Sequence, residues 1–228
     1  MSFVTVTILN FPAGQRYRAF ANMGRWLMKP FDVPGLSFQK MMGTGKNFGL
    51  IPDWSRYVFL GVWEDEAQAR AFFGTGRWQA FLPTEGNVPQ PSPPTLYLRP
   101  IKTQGLWDGA NPFQTTGNVP EQSPKDAPIA VLTRASIRTG ALLDFWRNVP
   151  AARQRIADQG DNLLMALGAG EKPIVQQCTL SVWKNAALVD QFAYRQSGHK
   201  EIVRMTRQRK WYSEELFARF AVVAMEGF

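Results

Sequence analysis

The chain has 228 residues, with 45% hydrophobic and 13% aromatic side chains, which allows one large or two small packed domains. Its formal charge of +8 favours anionic partners, and its single cysteine, Cys178, excludes an internal disulfide or a multi-cysteine zinc centre. The first residues lack the basic and long apolar regions of a signal peptide, and no apolar run nears the roughly 20 residues that span a bilayer. A cytoplasmic protein, at most peripheral to the inner membrane, is expected.

Val4 to Asn10 alternates with β-branched residues and predicts a strand. From Gln15 to Met28, the residues Tyr17, Phe20, Ala21, Gly24, Leu27 and Met28 fall on one helical face, and Pro30 and Pro34 end the helix. Leu36 to Met42 reads as a strand stopped by a tight turn at Gly43-Thr44-Gly45. Arg56 to Trp63 is a further strand, and Glu64, Asp65 and Glu66 favour a helix start that runs to about Leu82. Pro83 to Pro94 reads as a loop, Thr95 to Lys102 as a strand, and Asp108 to Pro128 as a linker.

The pattern then restarts. Pro128 to Ala135 is a strand, and Thr139 to Asp158 a helix with Leu142, Leu143, Phe145, Trp146 and Val149 apolar and a kink or break expected at Pro150. Asn162 to Leu167 is a strand stopped by Gly168-Ala169-Gly170, and Pro173 to Trp183 another. Helices follow over Asn185 to Tyr194 and His199 to Arg209, then a helical turn from Tyr212 to Phe217 and a last strand from Arg219 to Met225.

Residue matches support a duplication. Val4, Val6, Phe20, Gly43 and Gly45 match Ile129, Val131, Phe145, Gly168 and Gly170 at an offset of 125. Val62, Trp63, Ala67 and Phe72 match Val182, Trp183, Ala187 and Phe192 at an offset of 120, so one loop deletion relates both sets. Each copy reads strand, helix, strand, strand, helix, strand. The expected fold is α+β, with two tandem ferredoxin-like repeats (1–107 and 128–228, joined by a linker over 108–127) forming a dimeric α/β-barrel-type fold. An apolar ligand would sit between the sheets, or between sheet and helices.

No Walker loop, GxGxxG, HExxH or GxSxG motif is present, and neither Gly-rich triplet opens a helix as a phosphate loop must. His199 is the one imidazole, and it begins a basic run containing Lys200, Arg204, Arg207, Arg209 and Lys210. Two readings stand: a surface histidine at a helix start, or an axial iron ligand with cations nearby for two propionates. Trp63 and Trp183 end equivalent strands; both suit core packing, and Trp183 also suits a pocket wall. Cys178 reads as a buried inert thiol, with thiolate ligation of haem as the alternative. The aromatics are not clustered beside the basic run, which argues against nucleic acid, and no carboxylate pair marks a hydrolase.

Several spaced motifs carry a family resemblance. Ala130 to Ala135 (AVLTRA), Phe145 to Pro150 (FWRNVP), Gly170 to Pro173 (GEKP), Gln177 to Trp183 (QCTLSVW), Gly198-His199 and Trp211 to Phe220 (WYSEELFARF) resemble the spheroidene monooxygenase family. In the first half, Met23-Gly24, Pro34 to Phe38, Gly43 to Gly45 and Gly105 to Gly109 are similar too, whereas Pro83–Pro94 and Asn111–Lys125 match nothing in it. The resemblance implies a haem-dependent monooxygenase that uses O2 to oxygenate an acyclic carotenoid or similar long apolar substrate. It implies haem b as cofactor with His199 as the iron ligand. Lys200 and Arg204 would pair with propionates, and Trp183 would wall the pocket. Arg134 would stabilise charge at the reacting oxygen, although a strand-edge surface arginine fits the same position. An external electron donor, a homo-oligomer and contact with a membrane surface complete the expectations. The rivals are a non-catalytic haem or apolar-ligand binding protein and a cofactor-free monooxygenase of the same barrel type.

Overall fold

β-branched and aromatic residues at alternate positions build strands whose two faces meet different layers. In the computed structural model, which describes residues 2–86, 88–89, 92–113, 115, 126–172, 174–195, 204–206 and 208–228, the first half comprises β1 (Phe3–Asn10), α1 (Arg16–Met28), β2 (Leu36–Gly45), β3 (Pro52–Trp63), α2 (Glu66–Phe73), α3 (Gly76–Gln79) and β4 (Thr95–Gly105). The second half comprises β5 (Ile129–Ile137), α4 (Leu142–Ala157), β6 (Leu163–Gly170), β7 (Gln176–Trp183), α5 (Ala186–Asp190) and β8 (Tyr212–Glu226). Thr84–Glu85 and Val88–Pro89 add a two-residue ladder outside the main sheet.

The eight long strands close one antiparallel barrel in the order β1-β3-β2-β6-β7-β5-β8-β4. Within each half the order is fourth, first, third, second, which is the ferredoxin-like arrangement expected from the sequence. The two halves join at two seams, β2 with β6 and β4 with β8. Both seams are self-complementary. Gly43 faces Gly170 at the first. At the second, Arg99 faces Ala221, and on either side of it Leu98–Val222 mirrors Pro100–Phe220. One chain therefore closes its barrel with a pseudo-twofold axis through both seams.

Strand register corrects the sequence correspondence. Phe3 and Ile129 face Trp63 and Trp183, so Val4 and Val6 match Ala130 and Leu132 rather than Ile129 and Val131. The one-residue difference matters because it moves a side chain to the other face. Gly43 likewise matches Gly170, not Gly168. Both Gly-rich triplets lie inside strands at or next to the seam instead of ending them in turns. Glycine is needed there for close approach: a Cβ at Gly45 would lie 2.1 Å from the Gly49 carbonyl oxygen, and one at Gly170 would lie 2.4 Å from that of Gln176.

Other elements shift as well. The helix expected to reach Leu82 ends at Phe73, and Thr75 caps a separate turn by accepting from the Trp78 amide. The helical turn expected at Tyr212–Phe217 is part of one long strand, β8, held on both sides by β4 and β5. Pro150 does not divide α4 into two helices; it lies within a continuous Leu142–Ala157. On α1 the buried residues are Ala19, Asn22 and Trp26, so the apolar face read from the sequence is the outward one.

The lumen is full. Val4, Val6, Leu60, Leu98, Leu132, Leu180 and Phe220 are among the inward residues, supplied by all eight strands. Trp107 and Phe113, from the segment after β4, plug it: Phe113 meets Phe220 edge-on at 5.1 Å. An eight-stranded barrel is just wide enough for side chains to fill, and the buried inward residues fill this one. Outside the first half, α1, α2 and α3 cover the sheet through an aromatic layer in which the Phe31 ring lies 4.9 Å from both Phe72 and Phe81. Among the described residues, no helix is long and apolar enough to cross a membrane.

Candidate functional site

Between sheet and helices the two halves differ. In the first half the helix-facing strand residues Thr7, Leu9, Met41 and Phe59 are all buried, and Gln39 spans to the Trp26 indole and the Phe31 backbone. Strand register sets Thr133, Ala135, Gly168, Thr179 and Ala166 at the matching positions. Four of the five residues in the second half are therefore smaller. Thr133 is exposed, Thr179 and Ala166 are half-buried, and Leu164 on the same face is exposed. The helix α4 that would close this space buries none of its residues, whereas α1 buries three. The buried cluster on this side is small: Ile129, Val131, Trp183 and Val189, with Phe192 and Phe217 packed against it.

Trp183 is buried in this layer. Its indole N–H donates to the Ser181 hydroxyl at 2.9 Å, and its ring tilts over Phe192 at 5.0 Å. Arg219 takes the position of the buried Tyr97 of the first half. Its Nη2 donates to Asp190 at 2.8 Å, while its Nε is buried without a partner. An anion entering this layer would meet that unmatched donor. Arg204 is exposed and lies in the helical residues 204–206. His199 and Lys200, and Arg207 beside them, lie outside the described residues.

Arg134 is elsewhere. It follows Ala130 and Leu132 on the lumen face of β5, on the opposite side of the sheet from this layer. Only 2% of the residue is exposed. It pairs with Glu214, sits 3.4 Å from Asp108 and 3.8 Å from Glu171, and stacks over the Trp107 ring at 5.5 Å. Lys40 joins the cluster through Asp108 and, at 2.5 Å, Glu171. Glu171 also accepts from the Trp107 indole at 2.7 Å, and Glu214 accepts from the amides of Asp108 and Gly109. Burial pushes the Glu214 pKa up, but the two amides and Arg134 outweigh it and hold the carboxyl below its usual range. Burial likewise works against charge on Lys40, and the hydrogen bonds to Asp108 and Glu171 overcome it and raise its pKa. The sequence expectation set Arg134 at a reacting oxygen; its side chain instead ties the segment after β4 across the end of the lumen. The Gly105-Leu-Trp-Asp-Gly109 stretch was legible as a motif, but its partners Lys40, Glu171 and Glu214 carried no signal beyond charge.

Cys178 also faces the lumen, next to Arg134 across the β5–β7 ladder. Burial pushes its thiol up to about 12, so it stays protonated at neutral pH, which disfavours thiolate ligation. A separate surface pocket of 370 Å³ lies among Arg138, Asp144, Arg209 and Trp211. Arg209 and the Trp211 indole both bind the Asp144 carboxylate there. Among the described residues, no group of three or more His, Cys, Asp or Glu side chains is arranged to hold a bare metal ion.

No family model matches the sequence. The spheroidene monooxygenase of Rhodobacter capsulatus is 34% identical over 202 residues, covering 86% of this chain and 79% of that protein. The spheroidene monooxygenase of Rubrivivax gelatinosus is 34% identical over 196 residues, covering 85% of this chain and 72% of that protein. The enzyme of the same description from Cereibacter sphaeroides is also 34% identical, but the match spans only 58% of its length. Among solved structures, an aldoxime dehydratase in complex with butyraldoxime superposes with a TM-score of 0.58 at 11% identity, covering 97% of this chain and 79% of that one, which bears on the fold alone.

Proposed function

Because the chain belongs to the spheroidene monooxygenase family and is therefore a monooxygenase, we propose that it uses O2 to oxygenate an acyclic carotenoid or similar long apolar substrate, with haem b bound between the second-half sheet and α4. The observation that carries this reading is the trimming of one half only. Where the first half has Gln39, Met41, Leu9 and Phe59, the second has the smaller Ala166, Gly168, Ala135 and Thr179, beneath a helix with no fully buried residue. A flat macrocycle needs such a slot, with apolar walls and cations at its rim.

The residues present fit the group. Trp183, Phe192, Phe217 and Leu164 supply apolar surface, and Arg219 offers a buried N–H without a partner. His199 would hold the iron, and Lys200 and Arg204 would pair with the propionates. When bound, the haem supplies the O2 activation that no side chain provides, and electrons come from an external donor. The chain's own residues exclude water and orient the substrate. The filled lumen denies solvent a route through the barrel, and the open layer presents half-buried apolar surface to a long hydrocarbon. Arg134 acts as a positioning residue: held by Glu214 and Asp108, it fixes the plug that gives the lumen face of β5 its rigidity.

The test is spectroscopic and catalytic. Full-length protein expressed with haem supply is expected to show a Soret band and to oxygenate an acyclic carotenoid with O2 and a reductant. His199→Ala is expected to lose both while keeping its circular dichroism spectrum. A wild type without a Soret band, or a His199→Ala variant with an unchanged one, overturns the haem assignment.

A further inference from the structure

The outward face of α1 is apolar where an unpartnered helix should be polar. Tyr17, Phe20, Leu27 and Met28 are 85%, 56%, 65% and 86% exposed, and Phe20 meets Trp54, itself 53% exposed, at 6.0 Å. At 100° per residue these four helical positions and Gly24 share an arc of about 100°, opposite the buried Ala19, Asn22 and Trp26. The exposed Leu50 and Ile51 extend the apolar surface along the hairpin that leads to Trp54. Isolated exposed apolar residues need no explanation, but a continuous stripe does.

The charge around the stripe is one-signed. Arg16 lies on one side of it and Arg18 and Arg25 on the other, with Lys29 at the end, and no acidic residue precedes Asp32 in the chain. None of these four cations pairs with a carboxylate among the described residues: Arg18 donates to the Ala80 carbonyl and Arg25 to the Asn22 amide oxygen. The α1 region thus combines a wide apolar face with flanking cations, the pattern of a helix that lies in a membrane interface.

We propose that the outward face of α1, with Trp54, docks on an anionic lipid bilayer. Apolar side chains enter the acyl boundary while Arg16, Arg18, Arg25 and Lys29 meet acidic head groups. A second copy of the chain would not require an all-cationic rim, because two such faces repel each other. The proposal does not depend on the haem reading, since every residue it uses lies in the first half.

Co-sedimentation of the purified full chain with vesicles of phosphatidylcholine alone, or mixed with phosphatidylglycerol, tests it. Wild type is expected to bind the mixed vesicles and to dissociate as salt is raised, at about fivefold in affinity per cation removed. Leu27→Glu/Met28→Glu is expected to weaken binding at least tenfold with an unchanged circular dichroism spectrum, as befits surface positions. Arg16→Glu/Lys29→Glu is expected to weaken binding to mixed vesicles only. Brominated lipid is expected to quench a fluorescence component that Trp54→Phe removes. Failure of wild type to bind, or binding unaffected by both double variants, overturns the proposal. So does a wild-type dimer that Leu27→Glu/Met28→Glu converts to monomer without changing vesicle binding.

Discussion

Thr179→Phe tests whether the second-half layer is the ligand site. The matching residue of the first half, Phe59, is fully buried, with its ring 5.5 Å from Phe31, 5.2 Å from Trp78 and 6.1 Å from Phe72. Thr179 is half-buried. A phenylalanine there has room, and half-burial of its ring is worth about 1 kcal/mol. For a chain of this length that raises Tm by about 2–4 °C. The same ring occupies the slot, and haem binding is expected to weaken by about 100-fold, or about 2.7 kcal/mol. Scanning calorimetry of the apoprotein and a Soret titration of both proteins give the two numbers. The reverse change, Phe59→Thr, empties a packed layer and is expected to cost about 3–5 kcal/mol without altering haem affinity directly. A Tm that falls in Thr179→Phe means there is no room and an overpacking cost of about 1–3 kcal/mol. A raised Tm with unchanged haem binding means the space exists but holds something else. Either result refutes the reasoning.

Arg134→Leu leaves Glu214 and its neighbours without their buried cation, and is expected to destabilise by about 3 kcal/mol in denaturant titration. Because Arg134 lies across the sheet from the layer proposed for haem, the refolded variant is expected to keep its Soret position, and a shifted band would refute that separation. Gly45→Ala sets a Cβ against backbone that cannot move aside, the Gly49 carbonyl oxygen at 2.1 Å, and is expected to cost at least about 2 kcal/mol. Gly43→Ala meets nothing within 4 Å and is expected to be nearly neutral in the same melt, which separates close approach from any general need for glycine at the seam. Glu214 has its folded pKa below the ordinary value of 4.5, so its contribution is complete above that value and is lost as pH falls through the folded pKa. Glu214→Gln is therefore expected to be less stable than wild type at pH 7, with the gap closing below about pH 4.5; a gap independent of pH would refute the assignment.

The order of elements and their duplication were legible because strand alternation and helix stops are local properties. Trp63 and Trp183 marked equivalent strand ends, and the register sets them against Phe3 and Ile129. His199 stood out as the one imidazole in the chain. What stayed hidden depended on partners distant in the chain. The glycine triplets read locally as turns, and only pairing across the two halves reveals Gly43 against Gly170. The helical turn read at Tyr212–Phe217 is overridden by β4 and β5 on either side of β8. The apolar stripe on α1 was visible as periodicity, but periodicity does not say which face meets the sheet, and Ala19, Asn22 and Trp26 take that place. Arg134 shows the same limit on a strand, where one position of register decides between lumen and helix layer. By itself the sequence determined two ferredoxin-like repeats, because their strand and helix periods are written in consecutive residues. Only the tertiary structure decided that the lumen is filled, that the helix-facing strand residues of one half are smaller than those of the other and that α1 turns an apolar face outward, because each of these depends on which side chains meet across a closed barrel.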